Sequence, residues 1–219
     1  TVLDMLVDPK ATRRQIINGL DQTLTKRFPQ LKGDEVTFIG STFLRYGEEQ
    51  PYLSHCAVRG TCDVPDSVDN CKIDCYGTES GVLLGWSKLI ASENPDIVIT
   101  YNGMGFDWQF MYTRAQELGC VKKFLALSRN MNEVCLSRKW NWRTKCEEFG
   151  LETNTIYIAS GQHDLKFVKM NGRLQIDLYN YFRREFLLTS YKLDHVAGHF
   201  IGDSVNSLSH GDGHTMIHS

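Results

Sequence analysis

The sequence predicts an α/β fold, because short strand-like apolar runs alternate along it with segments of helical period. The stretch 96–119 shows the alternation most plainly. Ile97, Val98 and Ile99 form a β-branched run after Pro95 that predicts a buried strand. Gly103 and Gly105 end that pattern. Phe110, Met111, Arg114, Ala115 and Leu118 then recur at helical spacing, and Gly119 stands where a C-terminal cap belongs. The order is strand, glycine turn, helix.

The other elements follow from the same signals. Asp8-Pro9 supplies an N-cap carboxylate and a proline at the first helical position. Ile16, Ile17, Leu20 and Leu24 then give an amphipathic helix ending near Phe28-Pro29, with Arg13, Arg14, Lys26 and Arg27 as solvated charge on its polar side. Residues 36–44 and 51–58 predict two strands joined as a hairpin around Gly47-Glu48-Glu49. Residues 60–77, with Pro, Gly, Asn and several Asp, predict a loop. A helix over 79–92 is expected to bury Val82, Trp86, Leu89 and Ile90.

Beyond Gly119 the pattern is less regular. Lys122, Lys123, Arg129, Arg138, Lys139, Arg143 and Lys145 surround Trp140 and Trp142. Such a mixture fits a surface that tracks a single nucleic-acid strand, or a partly buried tryptophan pair under snorkelling cations, which is the commoner arrangement. Residues 156–158 and 165–168 are strand-like, and Asn171-Gly172 is a hairpin-turn signal that would pair 166–168 with 173–176. Asp177 is expected to cap a helix carrying Leu178, Tyr181, Phe182 and Phe186, and a second helix follows over 191–200. From Ser204 onward the residues are polar and small. His210, His214 and His218 recur there without apolar periodicity, which predicts a flexible tail.

Composition narrows the class. Hydrophobic content of 42% and charged content of 23% over 219 residues suit a globular domain with a sizeable core. No apolar run is long enough to span a membrane, and no signal peptide is visible. A net charge of −2 withholds the basic bias of a dedicated nucleic-acid binder. Seven cysteines, an odd number, are expected as free thiols in an intracellular, reducing compartment. Cys56, Cys62, Cys71 and Cys75 lack the paired Cys-x-x-Cys spacing of a structural zinc site. The chain opens at Thr1 without Met and reads as an excised piece.

The chemistry concentrates where the strand hands over to the helix. Asn102 leaves the strand end and Asp107 falls in the first helical turn, where the macrodipole is expected to keep a carboxylate ionised. Such a carboxylate, at the carboxyl end of a sheet strand, is a hard oxygen ligand suited to Mg²⁺ or Mn²⁺. An ordinary capping aspartate produces the same spacing.

Asn102, Phe106 and Asp107, with three residues between Asn and Phe, resemble the second exonuclease motif, Asn-x-x-x-Phe-Asp, of family B DNA polymerases. The flanks 95–101 and 114–119 agree with it. A second block, 172–179 followed by 190–197, is similar to the segment after that motif. The likeness runs from about Asp34 to Asp203 and is closest to delta-like replicative polymerases, including those of large DNA viruses.

The resemblance implies a ribonuclease-H-like mixed sheet with flanking helices, incomplete at both ends. It divides the chain into an N-terminal helical insertion (1–34), an exonuclease-like region (35–203) and the tail (204–219). It implies 3′–5′ hydrolysis of single-stranded DNA ends within a DNA-directed DNA polymerase, at a nuclear or viral replication site. The partners would be a single-stranded 3′ end, primer-template DNA and the rest of the polymerase chain, with no membrane. Two ions of Mg²⁺ or Mn²⁺ about 3.5–4 Å apart would serve the attacking and leaving oxygens. Asp107 would be a catalytic metal ligand, direct or through water. Asn102 would position the terminal nucleotides, Phe106 would pack against a base or the core, and Tyr101 would help line the cleft.

One carboxylate does not hold two ions. The family's Asp-x-Glu pair is missing from residues 1–35: Asp4-Met5-Leu6 ends in leucine and Asp8-Pro9-Lys10 in lysine. Tyr191-Lys192-Leu193-Asp194 is one residue short of the third motif, Tyr-x-x-x-Asp. The resemblance therefore puts the first motif before Thr1 and the third after Ser219, and implies an inactive fragment. The competing reading is a non-catalytic ribonuclease-H-like interaction module whose carboxylates are lost. An Asp-x-Glu on an apolar strand upstream of Thr1 separates the two.

Overall fold

Residues 1–34 and 35–219 form two units in the computed structural model, which describes residues 12–27, 33–62, 71–142, 145–158 and 161–202. In the first unit, helix α1 (Arg13–Arg27) begins behind a reciprocal cap. The Thr12 hydroxyl accepts from Gln15 N, and the Gln15 side chain accepts from Thr12 N and Oγ1. The Asp8-Pro9 start lies outside the described residues. Ile17, Leu20 and Leu24 mark the apolar stripe expected from the sequence and are exposed.

In the second unit, β1 (Phe38–Phe43) and β2 (Leu53–Arg59) form the expected antiparallel hairpin, in register Phe38↔Val58 to Phe43↔Leu53. A third strand, β3 (Cys71–Tyr76), runs parallel to β2 where the sequence suggested a loop. Lys72 and Asp74 interrupt its apolar run, but on the pleat they share a face on which Asp74 accepts from the buried His55 Nε2 at 2.9 Å. The opposite face collects Cys71, Ile73 and Cys75 beside Cys56. Among the described residues no cysteine is joined in a disulfide.

Helix α2 (Glu79–Glu93) starts at Thr78, whose side chain accepts from Gly81 N, and buries Val82, Trp86 and Ile90, with Leu89 packed at the core margin. Strand β4 (Ile97–Thr100) and helix α3 (Asp107–Glu117) give the expected strand–turn–helix. Gly119 follows with φ +66°, as the cap requires. The buried face of α3 is Trp108, Tyr112, Arg114 and Ala115, rotated from the stripe read in the sequence, and Leu118 is exposed. The short α4 (Val121–Phe124) drives Phe124 into the core.

Strands β5 (Ser137–Asn141) and β6 (Cys146–Gly150) form one antiparallel hairpin, and β7 (Glu152–Ile158) and β8 (Gly161–Phe167) form another. Trp140 and Trp142 are not tucked into the fold. They are 50% and 85% exposed and meet edge-to-face at 6.3 Å, because a two-stranded hairpin has no layer behind it to receive them.

The hairpin expected around Asn171-Gly172 does not form. Strand β9 (Leu174–Asp177) pairs instead in parallel with β4, in register Ile97↔Leu174 to Thr100↔Asp177. Of the two turn residues only Gly172 has positive φ, whereas the mirror-image hairpin turn needs it at both. Helices α5 (Leu178–Glu185) and α6 (Leu193–Phe200) complete the described elements. The tail, with its three histidines, lies outside them.

The core centres on α2, α3, α4 and the segment after it, with Phe43 of β1, Ala57 of β2, Leu151, Val168 and Met170 joining it. Trp86 lies 6.0 Å from Trp108 and 6.1 Å from Phe124, while Leu83, Phe124, Leu125 and Leu127 are fully buried. Truncating any of these to alanine costs about 2–5 kcal/mol. Through Trp108 this core holds the first turn of α3, and so the position of Asp107.

Candidate active site

The turn between β4 and α3 is built for close approach. Asn102 takes φ +61°, uncommon for a non-glycine residue, and its carbonyl accepts from Gly105 N and Phe106 N, both at 3.0 Å. A Cβ on Gly105 would stand 2.3 Å from Asn102 Oδ1, and one on Gly103 would stand 2.6 Å from Thr100 Oγ1. A side chain at Gly103 would press on the body of Thr100, whereas one at Gly105 would displace the tip of the Asn102 side chain. Met104 is held on both sides, its N–H donated to Asp177 Oδ2 at 2.9 Å and its carbonyl accepting from Lys166 N at 2.8 Å.

Asp107 is the first residue of α3, and the cap position before it is Phe106, which makes no side-chain capping bond. Asp107 lines a groove of about 530 Å³ between β1 and β4, whose other walls include Ile39, Phe43, Val98 and Trp108. The groove has two open margins. Among the described residues β1 pairs only with β2, and β4 only with β9, so each presents an unpaired edge. This explains why β4 departs from the buried strand expected: Ile97 and Ile99 are 44% and 58% exposed.

The electrostatics correct a second expectation. Burial pushes the Asp107 carboxyl above the ordinary aspartate range, and the neighbouring Asp177 carboxylate pushes it the same way, against a smaller downward pull from Asp107's own N–H. Desolvation, which disfavours the charged form, thus works against the pull of the helix terminus. A divalent cation would reverse that balance, and a single hard carboxylate beside a second negative charge fits one as a partial donor set. Among the described residues no three His, Cys, Asp or Glu side chains are grouped to hold a metal.

The remaining residues singled out in the sequence surround this turn. Phe106 is 44% exposed and stacks on Phe110 at 5.6 Å and 11°. Tyr101 lines the groove, meets Tyr179 edge-to-face at 5.8 Å and donates its hydroxyl to the Tyr191 carbonyl at 2.6 Å. Asp177 caps α5 as expected, accepting from Tyr179 N, and also reaches the turn itself. That second contact was not legible, because it depends on the β4–β9 pairing.

Fold and site together define an α/β domain with a carboxylate at the carboxyl end of a parallel strand, where such sheets place their sites. The chain belongs to the exonuclease-domain family of family B DNA polymerases, whose model matches residues 20–196. That match starts earlier than the Asp34 margin seen in the motifs. The chain is 42% identical over 213 residues to the DNA polymerase of Phaeocystis pouchetii virus, covering 94% of this chain and 20% of that protein. It is 38% identical over 194 residues to the DNA polymerase of Pyramimonas orientalis virus, covering 88% and 15%. Against the DNA polymerase delta catalytic subunit of Bos taurus it is 31% identical over 183 residues, covering 84% and 15%. The chain thus spans a fifth or less of the length of these relatives. Within the described residues no helix is long and apolar enough to cross a membrane.

Proposed function

We propose that this chain is the 3′–5′ proofreading exonuclease region of a replicative DNA-directed DNA polymerase, and that Asp107 is one carboxylate of a two-metal site completed by polypeptide outside these 219 residues. The observation that carries the reading is the groove: two unpaired strand edges flank it, and Asp107 stands on its wall. A strand lying between β1 and β4 would satisfy both edges and join the two sheets into one mixed sheet of ribonuclease-H-like kind. It would also bring its own side chains to Asp107. The family's Asp-x-Glu pair has the chemistry this site lacks.

Bound there, Mg²⁺ or Mn²⁺ would supply an activated water and charge relief at the leaving oxygen. Asp107 would hold the ion directly or through water, and the penalty for its buried charge falls once a cation faces it. Phe106 offers an exposed ring to the terminal base. Asn102, folded over Gly105, positions the terminal nucleotides by hydrogen bonding. The Tyr101 hydroxyl is already donated to Tyr191, so Tyr101 shapes the cleft through its ring. With a net charge of −2, affinity for single-stranded and primer-template DNA comes from the rest of the polymerase. The setting is a viral or nuclear replication site.

In the parent polymerase, Asp107→Ala is expected to cut 3′-end hydrolysis of single-stranded DNA by about 100-fold or more while primer extension persists. The isolated chain is expected to trim labelled single-stranded DNA negligibly in Mn²⁺. Unchanged trimming by the Asp107→Ala polymerase would overturn the assignment and favour a non-catalytic interaction module.

A further inference from the structure

Asp177 makes more contacts than a helix cap needs. It is 6% exposed and sits at the carboxyl end of β9, directly beside Thr100 of β4. Its Oδ1 accepts from Tyr179 N at 3.0 Å, which is the capping bond. The same oxygen accepts from Asn102 N at 3.0 Å, and Oδ2 accepts from Met104 N at 2.9 Å. Both carboxylate oxygens therefore hold backbone of the turn that precedes Asp107. The two amides flank Gly103 and belong to the stretch where Asn102 adopts its left-handed conformation. A strained turn of this kind persists only where its surroundings fix it.

We propose that Asp177 is the positioning residue of the exonuclease site, a buried carboxylate that clamps the Asn102–Met104 turn and thereby sets the place of Asn102, Phe106 and Asp107. It acts through backbone N–H groups rather than on a metal, because its oxygens are already engaged by three donors. The clamp joins two parts of the chain 75 and 73 residues apart, so the β4–β9 pairing and the geometry of the site are secured by the same side chain.

The structural part of this inference stands on the turn alone; the catalytic part rests on the nuclease reading above. Two substitutions separate clamping from capping. Serine in Asp177→Ser is a good cap for Tyr179 N but is too short to reach Asn102 and Met104. Asp177→Asn keeps the size and one acceptor oxygen, so it loses the Met104 bond and retains the others.

Amide hydrogen exchange on the 219-residue chain reads the clamp without any nuclease assay. In Asp177→Ser, exchange at Asn102 and Met104 is expected to rise about tenfold, the worth of one hydrogen bond, with Tyr179 protection kept. In Asp177→Asn, a variant less exposed to unfolding, the rise is expected at Met104 alone. Unchanged exchange at both amides overturns the clamp. In the parent polymerase either variant is expected to lower kcat for 3′-end hydrolysis about tenfold with KM for single-stranded DNA unchanged. If the exchange result holds and Asp107→Ala leaves trimming intact, the failure lies in the nuclease reading and not in the clamp.

Discussion

Replacing Arg114 by methionine would leave Glu79 in the core with little to balance its charge. Both residues are 5% exposed. Arg114 donates from Nε to Glu79 Oε1 at 2.7 Å and from Nη2 to Oε2 at 2.6 Å, a bidentate pair that ties α3 to α2. Val36 N adds a third donor to Glu79 at 2.9 Å, and Arg114 Nη1 also reaches Glu117. Burial pushes the Glu79 carboxyl up, but the guanidinium and the Val36 N–H pull harder, and it rests below the ordinary range. Removing one member of such a buried pair costs about 3–5 kcal/mol. For a unit of this size, at about 2–4 °C per kcal/mol, Tm should fall by roughly 6–20 °C. The double variant Glu79→Leu with Arg114→Met loses the partner of Val36 N, about 1–3 kcal/mol, and the Arg114–Glu117 contact, so the two changes should be less than additive by about 2 kcal/mol or more.

Urea unfolding followed by circular dichroism measures each corner of that cycle. The pH dependence supplies a second check. Glu79 has a depressed folded pKa, so its contribution is present above the unfolded carboxylate range and is lost as pH falls through the folded value. In Arg114→Met the sign reverses, since the unpaired carboxyl prefers its proton and acidification then stabilises. Additive effects below about 1 kcal/mol each would refute the buried-pair reasoning.

Three further expectations are quickly tested. Asp107→Asn should stabilise the chain at neutral pH by up to about 1 kcal/mol. The folded pKa of Asp107 is raised, so its penalty is absent below the unfolded pKa and grows as pH rises toward the folded one. Equal denaturation midpoints at pH 8, or a gap that widens on acidification, would contradict this. Gly105→Ala sets a methyl group 2.3 Å from Asn102 Oδ1, the movable tip of a side chain, and should cost about 0.5–1.5 kcal/mol as that side chain swings aside, whereas a loss above about 3 kcal/mol would mean that the side chain is locked. Phe106→Ala removes a half-exposed ring and should cost less than about 1.5 kcal/mol of stability, while weakening single-stranded DNA binding by the parent polymerase in a filter or fluorescence assay.

What the sequence disclosed depended on the range over which each signal acts. The β1–β2 hairpin, α2 and the β4–α3 unit were legible because periodicity and Gly119 are local marks. β3 was hidden, since Lys72 and Asp74 read as loop polarity until His55 supplies a partner across the sheet. Asn171-Gly172 promised a hairpin that one negative φ prevents, and the true partner of β9 lies more than seventy residues upstream. The site divides the same way. Asp107 was singled out from its motif and its place after a strand, and the structure puts it at the wall of the groove. Its raised pKa and the clamp from Asp177 were not, since both follow from burial and a distant pairing. The exposure of Ile97 and Ile99 beside the open groove was equally hidden in a run that reads as core.

Anomalous diffraction from the parent polymerase, with Mn²⁺ and a single-stranded 3′ end bound, tests the central claim most directly. The account predicts a manganese peak about 2.0–2.3 Å from an Asp107 oxygen, or one water removed, beneath a strand lying between β1 and β4 that brings further carboxylates. A peak elsewhere, with Asp107 turned from the ion and the groove filled by other means, would contradict it.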